Sequence, residues 1–125
     1  MSVGQVDAGA GQRYLPVIFT NRGAVSCALE GYPGVAPLDS SGRQVAQAQR
    51  EARTPVVRVV LAPGKAASAI VHAGAVPGAT NTCPPDYPGL LVTPPGLTQS
   101  TKVRVALPAC AGLTVTALVA GTAGQ

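Results

Sequence analysis

The chain has 125 residues, nine Lys/Arg against five Asp/Glu for a net charge of +4, and 46% hydrophobic residues with one Phe, one Met and no Trp. That length fits one domain with a continuous core, and a core so poor in aromatics has to be built of Val, Leu, Ile and Ala, a composition that suits β-sheets. At 3% aromatic the chain lacks both the stacking platforms of a single-strand binder and a basic duplex-reading element, so no nucleic-acid partner is expected.

In chain order, residues 2–8 read as a first strand. Residues 13–20 (RYLPVIFT) read as a second, closed by the turn Asn21-Arg22-Gly23. Pro16 lies inside that run; having no N–H for a central ladder, it is expected at an edge, at a bulge or where the strand passes between sheets. Residues 26–30 and 35–38 are short strands, and Asp39-Ser40-Ser41-Gly42 has typical turn chemistry. Residues 43–46 offer a short return strand, whereas 44–52 (QVAQAQREA) has high helix propensity with weak amphipathic patterning and reads as a helical turn or loop.

PVVRVVL begins at Pro55, and the turn Ala62-Pro63-Gly64-Lys65 leads into residues 66–72, two runs expected to pair as a hairpin. A long loop over residues 74–88 carries Cys83. Strands follow at 90–93, 101–107 and 113–119. About eight or nine short strands without a strong helix predict an all-β, immunoglobulin-like antiparallel β-sandwich of two sheets. It is expected to be a single domain over residues 1–125 with 120–125 as a flexible tail.

No apolar run approaches the roughly 20 residues of a membrane-spanning helix. The chain also shows no basic segment followed by an apolar one, so an export signal is expected to have been removed or to lie upstream of Met1.

The stretch SCALEGYPGV, residues 26–35, sets a cysteine, a tyrosine and a Pro-Gly pair close together. Pro33-Gly34 matches a type II turn, and Tyr32 is suited to lay its ring on the core edge while its hydroxyl reaches a backbone group. Tyr32, Pro33 and Gly34 are therefore assigned to a structural corner. The phrase returns at Asp86-Tyr87-Pro88-Gly89 and is read as the same turn.

A thiol enzyme needs a base or cation beside its cysteine, and the sole histidine, His72, lies in a strand pattern with no local partner. Three cysteines allow three single pairings. The pairing expected is a disulfide between Cys83 and Cys110, which closes a loop of about 27 residues and contributes roughly 3–4 kcal/mol. Cys27 is then left unpaired, or paired with a cysteine upstream of Met1. The dispersed His and Cys offer no metal-ligand spacing, and the five carboxylates no acid/base pair, so neither metal nor cofactor is expected. Arg50, Arg53 and Arg58 form the densest basic segment; they read as a solvated loop, with contact to an anionic polymer, lipid head group or acidic protein as the functional alternative.

The order LPVIFTNRG, SCALEGYPGV, an Asp-Ser-Ser-Gly turn, VVLAPGKAASAIV, a cysteine-bearing loop, LLVTPPG and a last cysteine before GLTV resembles the actinobacterial domain of unknown function 4232. The most specific strings are residues 21–35 and 61–67. The resemblance implies an exported or lipoprotein-type cell-envelope domain, without an assigned activity and often with a fourth cysteine near its start, which this chain lacks. The expected function is thus a non-catalytic binding or structural module, secreted or associated with the cell envelope, with a lipid anchor upstream as one form of attachment. Its expected partner is a protein or envelope component. The alternative is a carrier of a small apolar ligand held between the sheets.

Overall fold

Alternation of apolar and polar side chains at every second position builds strands. The computed structural model describes residues 2–3, 7–9, 12–45, 47–51, 56–74, 87–95, 100–107 and 113–121, and among these it holds twelve β-strands and no helix. They are β1 (Ser2–Val3), β2 (Asp7–Gly9), β3 (Gln12–Thr20), β4 (Cys27–Glu30), β5 (Gly34–Leu38), β6 (Gln49–Arg50), β7 (Arg58–Leu61), β8 (Ala66–Gly74), β9 (Tyr87–Thr93), β10 (Thr101–Leu107), β11 (Leu113–Val115) and β12 (Val119–Ala120).

Three sheets result, where two were expected. The largest has seven strands centred on β8, with β3 antiparallel along one edge and β11 then β12 along the other. β1 and β2 share the far edge of β3, and β6 runs parallel to β11. The second sheet has the order β10-β9-β5, and β4 with β7 makes the third, all antiparallel.

One apolar cluster joins the three. Leu15, Val17 and Phe19 of β3, Ala67, Ala69, Val71 and Ala73 of β8, and Leu113 and Val115 of β11 are buried together with Leu29, Val59 and Leu61 of the two-stranded sheet and Val35, Leu90, Val92 and Leu107 of the three-stranded one. Large faces small along the central ladder, with Phe19 opposite Ala67 and Val17 opposite Ala69. Each fully buried Val, Leu or Phe contributes about 1.5–3 kcal/mol.

The expected hairpin of residues 55–61 with 66–72 does not form. The Pro-Gly turn itself is present: Gly64 has φ +83° and the Lys65 N–H donates to the Ala62 carbonyl at 3.0 Å. It carries the chain from the two-stranded sheet into the seven-stranded one. β8 has no edge left for β7, because β3 lines one side and β11 and β12 the other, so β7 pairs with β4.

The described residues of the segment 44–52 also differ from a helical turn. The Val45 N–H donates to the Pro37 carbonyl and the Ala48 N–H to the Val35 carbonyl, covering the outer edge of β5, and β6 follows. Residues 87–90 are strand instead of turn, since Pro88 and Gly89 lie within β9. Opposite Pro88 the partner strand takes three steps, from Arg104 to Leu107, against two from Gly89 to Tyr87. That bulge absorbs the missing N–H.

Pro16 is accommodated differently. Ile70, its partner on β8, turns both backbone groups away, donating to Thr116 Oγ1 at 2.9 Å and accepting from the Thr116 N–H at 3.0 Å. Pro16 and Ile70 are therefore a non-hydrogen-bonded pair of the ladder, where proline forfeits no bond to β8. On its other side Pro16 falls between the pairs made by β1 and those made by β2.

Thr116 also divides the expected strand 113–119 into β11 and β12, its hydroxyl standing where a main-chain acceptor would be. From Val115 to Val119 the chain takes four steps against three from Val71 to Ser68. Ala120, the first residue of the expected tail, pairs with Ala67, and the Gly121 N–H donates to the Ala66 carbonyl.

Candidate functional site

The corner at residues 31–34 is built around Tyr32. Its ring packs on the core, its hydroxyl donates to the Glu51 carbonyl at 2.5 Å, and the Arg50 guanidinium lies 5.4 Å from the ring centroid. The left-handed glycine is Gly31, at φ +106°, whose carbonyl accepts the Leu118 N–H. Gly34 has no such φ and opens β5 opposite Thr93, so the reversal precedes Tyr32 and the type II turn assigned to Pro33-Gly34 is absent.

His72 acquires partners that its neighbours in sequence do not supply. Tyr14, His72 and Thr114 face one another across β3, β8 and β11. The Tyr14 and His72 rings stack with centroids 4.7 Å apart, and Thr114 Oγ1 is 3.4 Å from His72 Nδ1 and 2.8 Å from Glu51 Oε1. Thr114 has one hydroxyl proton, and it goes to the Glu51 carboxylate. Toward His72 the oxygen is then an acceptor, so the imidazole donates from Nδ1 and takes no proton from the hydroxyl. In this polarity His72 is not the base for Thr114, whose hydroxyl is held by the Glu51 carboxylate.

The expectation of a disulfide is corrected. Among the described residues there is no disulfide, and Cys27 is a free, exposed thiol at the end of β4, opposite Leu61 and with no second cysteine across the ladder. Cys83 and Cys110 lie outside the described residues. Among the described residues there is also no group of three or more His, Cys, Asp or Glu able to hold a metal ion, and no helix long and apolar enough to cross a membrane.

The basic segment of the sequence is not brought to one place in the fold. Arg50 stands in β6 against Tyr32, Arg58 is exposed in β7 opposite Glu30 in another sheet, and Arg53 lies outside the described residues.

A different pair of cations lines a groove. Its volume is 320 Å³, and its walls are the turn residues Asp39, Ser40 and Gly42 on one side and Lys102 and Arg104 of β10 on the other, over Leu38, Pro88, Gly89 and Val103. The turn is set by Asp39, whose Oδ1 accepts from the Ser41 hydroxyl at 2.6 Å and from the N–H groups of Ser41 and Arg43. Those donors, the Ser41 hydroxyl foremost and then the Arg43 N–H, hold the Asp39 carboxyl below the usual carboxylate range. Gly42 takes φ +84°, which an L side chain resists, and Lys102 Nζ is 3.5 Å from where its Cβ would sit.

Period two places Lys102 and Arg104 on one face of β10, and both are exposed. Among the described residues neither side chain has a hydrogen bond or ion pair. The floor is low at Gly89, where a Cβ would stand 3.1 Å from the Val103 carbonyl oxygen. Sequence reading placed Lys102 and Arg104 in a strand and Asp39 in a turn. Only the long-range pairing of β5 with β9 and β9 with β10 makes them opposite walls.

A family model described as Domain of unknown function (DUF4232) matches residues 1–123. No curated protein and no solved structure matches the chain.

Proposed function

The chain belongs to the DUF4232 family, a domain of unknown function, and from that premise we propose a non-catalytic binding module of the cell envelope or secreted fraction. It is built as an immunoglobulin-like sandwich and holds an anionic group of a protein or envelope component in the groove between the Asp39 turn and β10. The sandwich reading is supported by the single apolar core, to which all three sheets contribute side chains. The extracytoplasmic setting is supported by the family resemblance alone.

The observation that carries the binding reading is the pair of unpaired cations, Lys102 and Arg104, side by side in a groove. Asp39 keeps its charge and is turned to the donors of its own turn, so Lys102 and Arg104 together leave the groove with one net positive charge. A carboxylate or phosphate oxygen entering there gains charge-assisted hydrogen bonds, each contributing about 1.5–3 kcal/mol net of solvation. Two cations at an open position on the sheet surface suit such a ligand better than an apolar one.

The test is fluorescence anisotropy with labelled polyglutamate and polyphosphate as probes, at low and raised salt. Expected is binding that fades by a few hundred millimolar salt and falls by at least about tenfold in K102E/R104E, equivalent to about 1.4 kcal/mol. R22E, on an exposed loop, leaves it unchanged. If neither probe binds, or K102E/R104E binds as the parent does, the groove is not an anion site.

A further inference from the structure

The two-stranded sheet turns an apolar strip to solvent. Val60 is 63% exposed and lies opposite Ala28, itself exposed; Val25, before β4, is 76% exposed, and Val56 and Val57, before β7, are 51% and 43%. The antiparallel register sets Val25 near one end of the strip, Ala28 and Val60 at its middle, and Val56 and Val57 near the other end. Single exposed valines are ordinary on a soluble surface, whereas Ala28 and Val60 side by side on the exposed face, with Val56 on the same alternation and Val25 and Val57 exposed at the strand ends, mark a contact surface.

Two charges stand within this strip, one step of the alternation beyond Ala28 and Val60. Glu30 and Arg58 are directly opposite in the ladder and both exposed, yet among the described residues neither side chain makes an ion pair or hydrogen bond. A partner of one sign would satisfy one of them and repel the other. A surface with one cation and one anion beside an apolar centre is complementary to itself.

We infer that a second copy of this chain covers this face about a twofold axis, Val60 packing near the axis and Glu30 of each copy meeting Arg58 of the other. A twofold contact sets residue i against j and j against i, so both charges are matched by one operation. The exposed residues of the strip and its two charges number seven, fewer than the roughly 20–30 a side of a standard interface, which makes the dimer weak, with Kd on the order of 10–100 μM. The inference is independent of the anion groove, which is in a different sheet.

The experiment is sedimentation velocity on the full chain from about ten micromolar to about one millimolar, with thermal melts confirming that each variant is folded. The wild type is expected to shift from monomer to dimer across that range. V60E, at a solvent-facing position, weakens association by at least about tenfold. E30R and R58E each stay monomeric where the wild type dimerises, because each sets like charges against one another at both contacts. An equimolar mixture of E30R and R58E chains recovers the dimer, since in the mixed pair both contacts join opposite charges. A wild type that stays monomeric, a dimer indifferent to V60E, or a mixture no more associated than its components overturns the inference.

Discussion

Asn21→Ala removes more structure than its surface position suggests. The Asn21 amide donates to the Leu61 carbonyl at 2.8 Å and the Val25 carbonyl at 2.9 Å, and its oxygen accepts the Gly23 N–H at 2.9 Å. Its main chain is bound to the same loop: the N–H donates to the Lys65 carbonyl and the carbonyl accepts from Gly64. One side chain thus clips the β3–β4 loop to the turn between β7 and β8. The two exposed bonds contribute about 0.5 kcal/mol each, and the partly buried Leu61 carbonyl, left without its donor, costs about 2 kcal/mol. The sum is about 3 kcal/mol, or a Tm lowered by about 10 °C for a chain of this size, measured by urea unfolding at unchanged m value. Asn21→Asp separates donor from acceptor. It keeps the Gly23 contact and sets a carboxylate against two carbonyl oxygens, so at neutral pH it is at least as unstable as the alanine variant. The folded state favours the protonated carboxyl, raising its pKa above the unfolded value. Stability is therefore regained below the unfolded carboxylate pKa and lost as pH rises through the folded one. An alanine variant within about 0.5 kcal/mol of wild type, or an aspartate variant as stable as wild type at pH 7, would refute the clip.

Tyr32→Phe keeps the ring, its core packing and the Arg50 contact while removing the bond to the Glu51 carbonyl; unfolding free energy should fall by about 1 kcal/mol, and an unchanged value would mean that the corner does not need its hydroxyl. Asp39 is expected to titrate below the ordinary aspartate range in a carboxyl NMR titration, because the Ser41 hydroxyl and the Arg43 N–H favour its charged form. Its contribution to stability is present above the unfolded carboxylate pKa and is lost as pH falls through the lower folded value, so the stability gap between wild type and Asp39→Ala should narrow on acidification. A midpoint at or above the ordinary value contradicts the turn geometry.

The strands of strict alternation were legible because one buried face suffices to write them: residues 13–20, 101–107 and the apolar run from Ala66 all appear as strands. Pairing was less legible. Ala62-Pro63-Gly64-Lys65 reads as a reversal from local chemistry alone, but whether a reversal closes a hairpin or carries the chain into another sheet depends on what occupies the edges of β8. Those occupants, β3, β11 and β12, are far away in sequence. Pro88-Gly89 was misread for a related reason. The bulge in β10 that tolerates proline inside β9 lies on the partner strand, and no local signal announces it. The groove shows the same limit: alternation marked Lys102 and Arg104 as outward residues, yet their facing wall, Asp39 to Gly42, follows a strand two places away in the sheet. His72, without a neighbour in the sequence, meets Tyr14 and Thr114 only through cross-strand register.

β8 is completed by residues synthesised long after it. Thr116 takes both backbone groups of Ile70, the Ser68 hydroxyl donates to the Gly121 carbonyl at 2.8 Å, and Val119 and Ala120 pair with Ser68 and Ala67. Until that tract leaves the ribosome, the central strand has a bare flank lined with alanine and valine, the kind of flank that recruits a neighbouring chain. Closure across such sequence separations is slow. The nascent polypeptide therefore finishes its largest sheet only once residues 113–121 have emerged, and its exposure to aggregation is greatest in the interval just before.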